Sequence, residues 1–126
     1  AYIGEYIERA RKAQAEFEKM SQEEVDLAVK TIAKVVYDNA EYLAEIAVEE
    51  TGMGNVPDKI AKNKQKSKII WNNLKGKKSR GILDTDETTG ITRIAKPVGV
   101  VAAITPCTNP IVTPMQSLQG WDIQRI

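Results

Sequence analysis

Lys96-Pro-Val-Gly-Val-Val-Ala-Ala-Ile-Thr-Pro-Cys-Thr-Asn-Pro110 is the stretch on which the fold turns. Gly99 to Ile104 is apolar on both faces, as a central strand of a helix-covered parallel sheet must be. Thr105 to Pro110 is a loop punctuated by prolines, and Pro110 suits the first turn of a following helix. An apolar strand, a tight polar loop and a helix start form the place where doubly wound α/β folds receive ligands. One parallel strand has no neighbour against which to bury its faces. The reading is therefore the opening of a larger α/β domain.

Upstream lies a different pattern. Arg80 to Leu83 and Ile91 to Ala95 read as two short strands around the polar connector Asp84-Thr-Asp-Glu-Thr-Thr-Gly90, a hairpin. Before it, apolar residues recur at helical spacing over four segments. The first carries Ile3, Tyr6, Ile7, Ala10, Ala13 and Phe17. The second opens at Ser21-Gln-Glu-Glu24, a capping box, and carries Val25, Ala28, Val29, Ile32, Val35 and Val36. Asp38-Asn-Ala-Glu41 has the form of another such start, continued by Leu43, Ile46 and Ala47. Gly52 is placed to end that helix in the left-handed conformation. Pro57 opens the fourth helix, which runs to about Leu74, with Gly76 closing it.

Composition narrows the chemistry. The 126 residues hold 18 basic and 17 acidic side chains, one cysteine and no histidine. A net charge of +1 supplies no global field toward nucleic acid or an anionic membrane. The longest apolar run, Val98 to Ile104, is far short of the ~20 residues a membrane helix needs. No signal-peptide pattern opens the chain, and a cytoplasmic protein is the simplest reading. Without histidine there is no Ser-His or Cys-His pair and no His-ligated zinc. The charge is segregated. Residues 1–58 hold 6 basic and 13 acidic side chains, while 59–80 hold 9 basic and none acidic. That basic run could bind nucleic acid or phosphates, but a solvated helix face is the plainer reading.

The 96–110 stretch, with Lys34-Val-Val-Tyr-Asp-Asn-Ala40, Ala47-Val-Glu-Glu-Thr51 and Asn109-Pro-Ile-Val-Thr-Pro-Met115, resembles the aldehyde dehydrogenase superfamily. Within it, the P-V-G-V-V-A run followed by P-x-T-N-P is similar to the CoA-acylating branch. The resemblance covers about Ile3 to Met115. It implies a Rossmann-like cofactor-binding domain over 1–115: helices within 3–75, an oligomerisation hairpin at 80–96, then the first sheet strand and cofactor loop at 98–110. It further implies oxidation of an aldehyde with NAD or NADP and coenzyme A to an acyl-CoA, reversibly, with succinate semialdehyde the favoured substrate.

By position, the resemblance puts Ile104, Thr105, Pro106 and Cys107 along the cofactor. Thr108 and Asn109 become the two candidates for donating to the oxyanion. A gapless alignment places Thr108 where non-acylating relatives carry asparagine, so either Thr108 donates or the loop shifts to bring in Asn109. Otherwise Asn109 merely supports the turn before Pro110. Cys107 reads as a small hydrophobe or cofactor contact rather than a nucleophile, because the family's catalytic cysteine lies on a downstream segment absent from these residues. The hairpin at 80–95 would pair with another subunit. Residues 116–126 depart from the family pattern, and the 126 residues by themselves are expected to be inactive. A rival reading is a short helical interaction module that uses basic helix 59–80 or hairpin 80–95.

Overall fold

The computed structural model describes residues 2–120. Its elements are α1 (Tyr2–Phe17), α2 (Gln22–Asp38), α3 (Ala40–Thr51), α4 (Val56–Leu74), β1 (Gly81–Asp86), β2 (Ile91–Ala95) and α5 (Val112–Gly120). The tail expected at 116–126 thus begins inside α5, and 121–126 lie outside the described residues.

Local chemistry sets the helix ends. Ser21 caps α2 as expected: its Oγ accepts from the Glu24 amide at 3.2 Å, and the Glu24 carboxylate accepts from the Ser21 amide at 2.7 Å. Gly52 ends α3 at φ 63°, the left-handed value that favours glycine. Helix α3 starts within the expected 38–41 stretch, but without the expected cap, because Asp38 is the last residue of α2 and pairs with Lys34. The Asn39 side chain donates backward to the Val35 carbonyl at 2.8 Å, so it closes α2 rather than capping α3. Helix α4 opens one residue before Pro57, at Val56, because Asn55 is its cap, accepting from the Asp58 amide at 2.9 Å.

The core sits where α2, α3, α4 and α5 meet. Ala40, Ala44 and Ala47 of α3 are buried, and their small side chains let α4 approach closely. α4 answers with buried polar groups. Asn63 donates to the Ala40 carbonyl at 3.2 Å, and the Ser67 hydroxyl lies 2.6 Å from the Asn63 carbonyl and 3.3 Å from the Met115 sulfur. With Val25, Val29, Ala33 and Val112, Met115 completes the apolar centre.

Helix α1 buries none of its residues; Tyr2 is 72% exposed and Ile3 71%. An apolar cavity of about 400 Å³ lies between α1 and the run after β2, lined by Ala10, Ala13, Phe17, Ile32 and Pro97 to Val101.

β1 and β2 pair antiparallel, Ile82 opposite Ile94 and Thr85 opposite Thr92, with an irregularity between Ile82 and Asp84. β1 reaches Asp86, three residues beyond the expected end, because Asp84 forms an ion pair with Arg93 across the ladder and Thr85 meets Thr92 at 3.2 Å. Asp86 closes the turn, accepting from the amides of Thr88 (2.9 Å) and Thr89 (3.3 Å) and from the Thr89 hydroxyl (2.8 Å). Ser79 and Arg80 root the hairpin. Both polar groups of Ser79 donate to the Gln22 side chain, at 2.9 and 3.3 Å. The Arg80 guanidinium stacks on Phe17 and donates to the carbonyls of Glu18 and Met20 at 3.0 Å each.

Hydrogen bonds from Arg93 to Asp84, and from Thr89 and the turn amides to Asp86, hold both carboxyls below the ordinary aspartate value of 3.8. A carboxyl depressed on folding stabilises the folded form above its ordinary pKa and loses that contribution as pH falls through the depressed value. Protection of the Thr88 and Thr89 amides, measured against their unstructured exchange rates at the same pH, should therefore fall below about pH 4, and Asp86→Asn should remove most of that acid response. An acid response unchanged in the variant would assign it elsewhere.

The strand expected at 99–104 is the one element that does not form. Residues 96–106 carry no ladder, and Val98, Val100 and Ile104 are exposed, Ile104 at 96%. A strand is defined by a lateral partner, and among the described residues the only two strands already pair with each other.

Candidate functional site

The loop that follows is nevertheless shaped. The Asn109 amide donates to the Pro106 carbonyl at 3.4 Å, closing a turn. The Asn109 carbonyl accepts from Thr113 at 3.3 Å, the first hydrogen bond of the α5 spiral. Pro110 therefore lies in the lead-in to α5, whose regular part opens at Val112.

Two lysines one turn apart on α4 grip this loop. The Lys62 ammonium donates to Asn109 Oδ1 at 2.6 Å, and Lys59 reaches the Thr108 carbonyl at 3.5 Å. Asn109 Nδ2 lies 3.4 Å from the Thr108 hydroxyl, a long contact. Beside the grip, a cavity of about 270 Å³ is lined by Met53, Gly54, Asn55, Asp58, Lys59, Lys62 and Thr108.

Thr108 and Asn109 are thus brought together against α4, with Asn109 half-buried and Thr108 exposed. Ile104, Thr105, Pro106 and Cys107 form the exposed limb of the loop. The Cys107 thiol lies 4.0 Å from the Met53 sulfur. A thioether cannot take its proton, so this contact does not activate it. No group of three His, Cys, Asp or Glu among the described residues could hold a metal ion, and no described helix is long and apolar enough to cross a membrane.

The basic run is less of a solvated face than its composition suggests. Besides Lys59 and Lys62, Lys68 lies over the Tyr37 ring at 5.1 Å, Lys78 donates to the Ile82 carbonyl at 3.4 Å, and Arg80 is lodged at the hairpin root. Sequence reasoning did not reach Lys59 and Lys62 as loop partners. Their spacing of three places them on one helix face, but nothing local announces that this face meets residues 47 and 49 positions further on.

Four packed helices, a projecting hairpin and a proline-bounded loop docked on the fourth helix agree with a family model. The description of that model is "Aldehyde dehydrogenase family", and it matches residues 1–120. The chain belongs to the aldehyde dehydrogenase family.

It is 55% identical over 113 residues to a succinate-semialdehyde dehydrogenase (acetylating) of Clostridium kluyveri, covering 90% of this chain and 25% of that protein. It is 46% identical over 118 residues to a sulfoacetaldehyde dehydrogenase (acylating) of Cupriavidus necator, covering 92% of this chain and 24% of the relative. In three dimensions it resembles an acetylating aldehyde dehydrogenase from Geobacillus thermoglucosidasius, with a TM-score of 0.88 and 42% identity over 93% of this chain and 26% of that one. The chain spans about a quarter of the length of the curated relatives it matches.

Proposed function

We propose that the protein containing this chain is a CoA-acylating aldehyde dehydrogenase that oxidises succinate semialdehyde with NAD(P)+ and coenzyme A to succinyl-CoA, NAD(P)H and a proton, reversibly, in the cytoplasm. The observation that carries the reading is the Thr105–Pro110 loop, docked by Lys62 and Lys59 beside an open cavity. It occurs in a chain whose similar relatives are named for acetylating and acylating activities. The aldehydes in both names carry an anionic group, which favours succinate semialdehyde over a neutral aldehyde.

The loop suits a nicotinamide dinucleotide. Residues 96–110 contain no carboxylate to repel a pyrophosphate. Ile104 to Thr108 are exposed, and their hydroxyls and carbonyls are groups that hydrogen-bond ribose. When bound, NAD(P) takes up the hydride that leaves the aldehyde carbon. Ile104, Thr105, Pro106 and Cys107 would line it, and Thr108 or Asn109 would face the oxyanion. The exposed Ile82, Ile91 and Ile94 of the hairpin suit pairing with a second copy.

The test is turnover of succinate semialdehyde by the whole enzyme with CoA present and omitted, with acetaldehyde as comparison. The expected result is NAD(P)H formation that requires CoA and a higher kcat/KM for the anionic aldehyde. CoA-independent release of the free acid would overturn the acylating assignment. A preference for acetaldehyde would overturn only the substrate.

A further inference from the structure

We infer that Lys62 is the positioning residue that fixes the Asn109 amide as the oxyanion donor; this rests on the acylating-dehydrogenase reading above. The argument begins with donor chemistry. An ammonium group only donates hydrogen bonds, so the amide atom it meets at 2.6 Å must be the carbonyl oxygen. That contact settles the amide orientation, with Oδ1 turned to α4 and Nδ2 away from it.

Of the two Nδ2 hydrogens, one faces the Thr108 hydroxyl across 3.4 Å, and the other has no hydrogen-bond acceptor among the described residues. The ammonium also withdraws charge from the amide oxygen and so strengthens the amide N–H as a donor. An oxyanion donor is effective when it is oriented before charge develops. Asn109 meets that condition: Lys62 holds its side chain, and the turn to Pro106 and the bond from Thr113 hold its backbone. Thr108 does not, because its hydroxyl rotates and meets only the long 3.4 Å contact from Asn109 Nδ2, while its carbonyl is held at 3.5 Å by Lys59. The choice that the sequence leaves open is thereby made in favour of Asn109.

Lys62 is exposed, so its replacement should leave the fold intact. In the whole enzyme, Lys62→Met should lower kcat by about 10- to 100-fold and leave the aldehyde KM within about threefold. Lys62→Arg, which keeps a donor-only cation, should recover most of the rate. Lys62→Met added to Asn109→Ala should cost nothing further, since the two act through one group. In crystals of Lys62→Met, the Asn109 amide should leave its wild-type orientation, a readout independent of turnover.

An unchanged kcat, multiplied losses in the double variant, or an undisturbed amide would each overturn the inference. So would a loss confined to anionic aldehydes, which would make Lys62 a substrate-binding group instead. A wild-type enzyme without CoA-dependent turnover would defeat the functional reading, while the crystallographic comparison would still judge the role of Lys62.

Discussion

If the chain belongs to the acylating dehydrogenase proposed above, Asn109→Ala is expected to lower kcat by about 10²–10³-fold, while Thr108→Ala should cost less than about tenfold. The expected size is that of removing one preorganised donor from an oxyanion site. The expected asymmetry follows from the geometry: Asn109 is tied at its side chain and its backbone, whereas the Thr108 hydroxyl is exposed and rotates. The measurement is steady-state kinetics at saturating NAD(P) and CoA, with unchanged melting temperatures as the control for folding. Equal losses at both positions would mean that the two side chains share the oxyanion. A larger loss at Thr108 would return the role to the position that the gapless alignment favours.

The second large effect is on stability. Met115→Ala should destabilise the folded protein by about 2–5 kcal/mol, the cost of emptying a long side chain from a site that cannot collapse. Met115 is 2% exposed and is the link by which α5 reaches the Ser67 face of α4. Its loss should also loosen the loop whose far end begins α5. Met115→Leu, close in volume, should cost less than about 1.5 kcal/mol. Urea denaturation at constant m-value would read both. A Met115→Ala variant as stable as the parent would show that α5 does not contribute to the core.

The sequence made some features legible because they are decided within a few residues. The Ser21–Glu24 capping box and the left-handed Gly52 each depend on one turn of backbone, and both stand as read. The Asp38–Glu41 pattern places the start of α3, at Ala40, but not its cap: Asp38 is the last residue of α2 and pairs with Lys34, and the Asn39 side chain donates back to Val35. The apolar run at 99–104 has the two apolar faces of a covered strand, yet a strand also needs a lateral neighbour, which the described residues do not supply.

The site divides in the same way. The loop between Pro106 and Pro110 is visible as a motif, and its turn is local. The grip of Lys59 and Lys62 joins residues nearly fifty positions apart, and in the sequence these lysines stand only as members of a basic run. Likewise, the buried Asn63 and Ser67 interrupt the apolar face of α4. Their partners, the Ala40 carbonyl and the Met115 sulfur, are set by packing rather than by helical spacing.

The most direct test of the central claim, that residues 104–109 are the cofactor- and oxyanion-facing loop of an acylating dehydrogenase, is a crystal structure of the whole enzyme with NAD(P) bound. The expected result is that 99–104 has joined a parallel sheet, that Ile104 to Cys107 lie against the nicotinamide-side ribose, and that Asn109 Nδ2 points to the reacting carbon with Lys62 still on Oδ1. A cofactor bound elsewhere, with the loop facing solvent, would contradict it.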